Sequence, residues 1–132
     1  MTAPCARFLY TRNMNTQEIA EKLVVYNREG KFPAVYHDLY VEDMVSIEMP
    51  GAPNEVVQGI EAVMKKAEWW EENFEMHEVK VSEPLVSDDH FAVTFWMHTT
   101  NKKTGEEEKM SELAVYTVAE GKIVQEQFFY GQ

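Results

Sequence analysis

Residues 108–130 read EKMSELAVYTVAEGKIVQEQFFY, and the pattern of this stretch decides the architecture. Apolar and polar residues alternate on both sides of Ala119-Glu120-Gly121-Lys122, where Gly121 can take the positive φ of a tight turn, so a β-hairpin is predicted. Alternation alone leaves its faces ambiguous. The even positions (Glu112, Ala114, Tyr116, Val118, Glu126, Phe128, Tyr130) and the odd ones (Leu113, Val115, Ile123, Phe129) both carry apolar bulk. Both faces therefore need cover: helices on one and, most economically, a second copy of the sheet on the other.

Working outward, the earlier chain supplies the helices. Asn15 followed by Glu18 has the form of a helix N-cap with a reciprocating carboxylate, and Ile19, Ala20, Leu23 and Val24 recur at helical spacing until Gly30. Pro33 suits the first turn of a second helix with Val35, Tyr36, Leu39 and Tyr40 on its apolar side, making a helical hairpin. A short strand over 44–49 ends in the breakers Pro50 to Asn54, and after Gly59 a third helix places Ile60, Val63, Met64, Ala67, Trp70 and Phe74 on one face. Strands are predicted over 76–85, interrupted by Pro84, and over 91–99, with Phe91, Val93, Phe95 and Met97 on one face and Trp96 and His98 on the other. Helices first and antiparallel strands after make an α+β layer arrangement, a curved sheet wrapped on helices.

The 132 residues suit one domain, 1–132, with 1–14 as a mobile or edge-covering arm. With 12 Lys and Arg against 23 Asp and Glu, the net charge of -11 opposes nucleic acid and anionic lipid surfaces alike. Cys5 can form no internal disulfide, and with no leader pattern and no long apolar run a cytoplasmic location is expected, with no membrane partner. No metal is expected either. His90 and His98 are eight residues apart on one strand, roughly 26 Å, and His37 and His77 are isolated in sequence. The minimum parts of a nucleophile elbow, a phosphate loop or a paired Cys-x-x-Cys motif are missing.

The order of these elements, together with Tyr40-x-x-Asp43, Gly59-Ile60-Glu61-Ala62 and Gly121-Lys122-Ile123, resembles the SnoaL-like branch of the nuclear-transport-factor-like superfamily. The likeness is closest from Asp89 onward, in HFAV, TGEEEKMSELAVY and GKIVQEQFFY. It implies a cone of three N-terminal helices on a curved, mainly antiparallel sheet, the cystatin-like α+β roll. The superfamily grafts unrelated chemistry on one scaffold, so the fold carries little about function. Matching Asp43 to the first strand of the related ketosteroid isomerases places their general base on Glu48. Their two oxyanion donors fall near Val24 and near Ala114 or Leu113, which cannot donate a side-chain hydrogen bond, so plain steroid isomerisation is not expected.

The resemblance also implies that Tyr116, Val118, Glu126, Phe128 and Tyr130 point into the cone with Val93, Phe95 and Met97. Glu48, Glu112 and Glu126 then approach an apolar interior, where at least one should titrate well above about 4.3; the alternative is that Glu112 and Glu126 are structural pairs of Arg7, Arg12 or Arg28 or of backbone donors. The expected catalytic set is Glu48, the first choice as proton carrier, then Glu126, with Glu112 as the third interior carboxylate and Tyr130 or Tyr116 as donor. The expected wall for a small apolar ligand is Met44, Met64, Trp70, Phe74, His77, Phe95, Met97 and Phe128. Two functions follow: a cofactor-free isomerase, cyclase or dehydratase acting on a carbonyl or polyketide-like compound, or a non-catalytic ligand-binding or dimeric adaptor domain. Trp96, Leu113, Val115, Ile123 and Phe129 on the outer face predict a homodimer through the sheet.

Overall fold

A computed structural model describes residues 13–131; most of the predicted N-terminal arm, with Cys5, Arg7 and Arg12, lies outside the described residues. Of that arm, Met14 packs against the core. Helix α1 (Thr16–Arg28) starts at Asn15 with the full reciprocal cap: the Asn15 side chain accepts from the Glu18 amide while Glu18 accepts from the Asn15 amide, each at 2.9 Å. Ile19, Ala20, Leu23 and Val24 are its buried stripe, as the spacing requires. Helix α2 (Phe32–Asp38) follows Gly30, and its proline occupies the first turn, where a missing amide costs nothing.

Strand β1 (Tyr40–Ile47) begins earlier than its alternation suggests. Tyr40, read from sequence as part of the α2 stripe, is its first residue, because α2 ends at Asp38 and Leu39 closes the turn. A three-residue strand β2 (Val56–Gln58), too short to show a period, pairs antiparallel with β1. Helix α3 (Ile60–Asn73) follows Gly59, whose φ of 96° few other residues adopt. Phe74 is no longer helical but opens β3 (Phe74–Val81); β4 (Leu85–Ser87), β5 (His90–Asn101), β6 (Glu107–Ala119) and β7 (Lys122–Tyr130) complete the chain. The sheet runs β2-β1-β7-β6-β5-β3 with β4 also on β5, and is antiparallel except where β1 meets β7. This α+β architecture of three helices on a curved seven-stranded sheet is the one expected.

The β6–β7 hairpin turns through Glu120 and Gly121, both at positive φ (51° and 79°), the two-residue turn whose twist matches its strands. A bulge after that turn settles the ambiguity of the faces. Val118 pairs with Ile123 and Thr117 with Gln125, so Val124 is unmatched and the inward parity of β7 changes along its length. Ile123 is thereby fully buried, which removes it from the outward patch that plain alternation gave it. Glu126, opposite Tyr116, still faces inward. The core is closed by the α1 stripe with Leu39 and Met44 against Phe91, Val93, Ala114, Tyr116 and Ile123.

Candidate functional site

The parallel pairing of β1 with β7 sets Ser46 beside Glu126 in register, and both are buried. Ser46 donates from Oγ to Glu126 Oε2 at 2.7 Å, and the Tyr40 hydroxyl donates to Glu126 Oε1. From above, Lys66 of α3 donates to Ser46 Oγ at 2.8 Å and reaches Glu48 Oε2 at 2.7 Å. Tyr130 donates to Glu48 Oε1 at 2.9 Å. Tyr40, Glu126, Ser46, Lys66, Glu48 and Tyr130 thus form one continuous polar chain across an apolar interior. Lys66 lies 5.5 Å above the ring of Phe128, so the cation has an aromatic neighbour as well as its carboxylate.

Glu112 stands apart from this chain. It lies inside, between Phe95 of β5 and Tyr130 of β7 in register, and no hydrogen bond reaches its carboxyl among the described residues. Burial, reinforced by the nearby charges of Glu48 and Glu126 and opposed by Lys66, pushes its pKa up to about 7. Burial also raises Glu126, but the hydrogen bonds from Tyr40 and Ser46 and the charge of Lys66 pull the other way. Tyr130 is pushed up to about 12, by burial first and then by its bond to Glu48. Tyr40 and Tyr116 are held well above the ordinary phenol value by burial and the Glu126 charge. All three are therefore proton donors, not phenolates, at neutral pH.

The five residues expected to carry chemistry, Glu48, Glu112, Glu126, Tyr116 and Tyr130, all come together on the concave face, with Tyr116 held by stacking on Phe91 at 4.7 Å. Among the described residues no arginine joins them. Arg28, expected as a partner for the carboxylates, turns instead to the Val81 carbonyl and to Glu83, both at 2.8 Å. Three members of the polar chain are absent from the sequence-derived set: Tyr40, Ser46 and Lys66. Lys66 had a signal, since it falls three residues after Val63 and four before Trp70, on the apolar side of α3.

The expected ligand wall is dispersed. Met44, Phe95 and Met97 lie in the core cluster, while Trp70 and Phe74 stack on each other at 5.2 Å. Met64 borders a groove of about 390 Å³ between α2, β1 and α3, whose other walls include Tyr36, Tyr40, Val41 and Ile60. This groove meets the polar chain only at Tyr40; Glu112, Glu48 and Tyr130 are not in its wall. His77 stands on the opposite, outer face of the sheet, its ring 4.8 Å from that of His98.

A family model described as a SnoaL-like domain matches residues 14–130. The chain belongs to the SnoaL-like family. Among solved structures, this SnoaL-like protein is similar to one from Mesorhizobium loti described as a candidate SnoaL-like polyketide cyclase and, beside that, as a carbohydrate phosphatase. The two are 37% identical, with a TM-score of 0.85 over 89% of this chain and 100% of that one. An NTF2-like protein from Burkholderia thailandensis (17% identity, TM-score 0.76, 89% and 92% covered) shares the fold. So does a candidate polyketide cyclase from Pseudomonas putida (16% identity, TM-score 0.68, 89% and 92% covered). No curated protein matches the chain. Among its described residues the SnoaL-like chain has no helix long and apolar enough to cross a membrane.

Proposed function

We propose that this SnoaL-like protein is an acid–base catalyst acting on a small apolar carbonyl or polyketide-like compound, through isomerisation, cyclisation or dehydration, chemistry that needs no cofactor. The observation that carries the reading is Glu112: a half-buried carboxyl, without a hydrogen-bond partner among the described residues, poised near neutrality beside Tyr130. A group with its pKa near the working pH both takes and returns a proton efficiently. Glu126 is the poorer carrier, because both its oxygens already accept hydrogen bonds, and Glu48 is engaged by Lys66 and Tyr130. In this reading Glu112 moves the proton, and Tyr130 and Lys66 are the donors that meet the developing oxyanion.

The test is turnover of a panel of enolisable ketones and polyketide-type fragments by wild type and Glu112→Gln. The expected result is a loss of about 10²–10⁴-fold in kcat, with binding retained. If Glu112 is the base, the wild-type kcat/KM also rises with pH through about 7. The pairing of Glu48 and Glu126 supports a second reading, a ligand-binding or adaptor domain without catalysis. Binding of panel members with no turnover, unchanged in Glu112→Gln, would decide for that second reading.

A homodimer through the outer sheet face belongs to the same proposal. Leu113 and Phe129 pair in register there and are 38% and 41% exposed, flanked by Val115 and Trp96 on the neighbouring positions. Light scattering after size exclusion at micromolar protein is expected to give twice the 15.3 kDa chain mass. A monomer at that concentration rules the dimer out.

A further inference from the structure

The outer face carries a second constellation, unconnected to the interior carboxylates and on the other side of the sheet. His77 of β3, His98 of β5 and Glu107 of β6 offer one ligand atom each, all within 4.8 Å of one another. They come from three adjacent strands, and the sheet itself brings them together. Met76 pairs with Thr99 but Glu78 with His98, so His77 is the extra residue of a bulge and is turned toward the His98 side chain. Glu107 reaches across from β6 to His98 Nε2 at 2.8 Å.

We propose that His77, His98 and Glu107 bind a borderline divalent cation of the Zn²⁺ class, with solvent in the remaining coordination position. Two imidazoles and one carboxylate are the donor set such ions prefer over Mg²⁺ or Ca²⁺, which favour oxygen. Ligand atoms around a tetrahedral ion with bonds of about 2.0–2.1 Å stand about 3.3 Å apart, so atoms already within 4.8 Å of one another have at most about 1.5 Å to close. Among the described residues Thr100 Oγ1, 2.6 Å from His77 Nε2, is the hydrogen-bond partner of that ring, to be exchanged or kept as an outer partner. The neighbouring charges on this face are mixed: Lys109 is opposite His98 in register, and Glu75 is opposite Thr100. A cation on this trio would tie β3, β5 and β6 together at the end of the sheet remote from the β6–β7 turn.

Calorimetric titration of the full chain with Zn²⁺ alone, and cobalt absorption spectra with Co²⁺ as the substituting ion, test the assignment. The expected result is one ion per chain bound at micromolar concentration, a higher Tm with Zn²⁺ but not with Mg²⁺, and affinity falling as pH drops and the imidazoles protonate. His98→Gln and His77→Asn should each weaken binding by about 100-fold. His77→Asn alters an exposed bulge residue, so it reports on the site even if His98→Gln impairs folding. Binding no tighter than millimolar, or binding of wild-type strength in both histidine variants, would overturn the proposal.

Discussion

Glu112→Met is expected to be more stable than wild type at pH 8, with the difference shrinking as the pH is lowered. The folded-state pKa of Glu112 is raised from 4.5 to about 7. Between those values the folded protein holds a proton that the unfolded chain has released, so wild-type stability falls as pH rises through the window. Below about 4.5 both states are protonated and the full contribution is present; above about 7 it is gone. A shift of this size corresponds to about 3 kcal/mol as an upper limit, less for the part of the side chain that water reaches. Methionine has similar reach and no charge, and it suits the setting between Phe95 and Tyr130. Urea midpoints of both proteins at intervals from pH 4 to pH 8 read the effect, and constant packing differences cancel in the trend. Parallel curves for the two proteins would mean that Glu112 carries no buried charge at pH 8, which would remove the proton carrier from the proposed mechanism.

Phe91→Ala is expected to cost about 3–5 kcal/mol, the range for emptying a filled aromatic site. Phe91 is 1% exposed and pairs across strands with Tyr116, the two rings stacked at 4.7 Å and 17°. The cavity would open directly beneath the ring that faces Glu126 from β6. The chemical effect should therefore accompany the loss of stability: with its support gone, Tyr116 no longer holds one position beside the carboxylate. Val56→Ala, at a side chain 60% exposed on the short edge strand, is the comparison and should change stability by less than about 0.5 kcal/mol. Chemical denaturation with an unchanged m-value would attribute the loss to the native core. A loss below about 1 kcal/mol would show that the floor of the site is loosely packed.

What the sequence by itself determined about this protein is what local chemistry encodes. The reciprocal cap of Asn15 and Glu18, the stripe Ile19-Ala20-Leu23-Val24, the alternation from Phe91 to Met97 and the Glu120-Gly121 turn each concern residues a few positions apart. Their periods specify helix or strand without reference to the rest of the chain, and their order led to the family and the α+β cone. That Glu48, Glu112 and Glu126 approach the interior was legible only through the resemblance to the family, since alternation left the faces of residues 108–130 open. Tertiary structure alone decided what those carboxylates touch. The bulge at Val124, which buries Ile123 and keeps Glu126 inside, is a matter of pairing register that two-residue alternation cannot report. Tyr40 meets Glu126 only because α2 ends early, across 86 residues of sequence, and Ser46 only because β1 runs parallel to β7. His77 and His98, far apart in the chain, become neighbours because a bulge on β3 turns one ring toward the other. Hydrogen bonds and charges act through space over a few ångströms, and which groups come within that range is fixed by strand register and helix placement, not by separation along the chain.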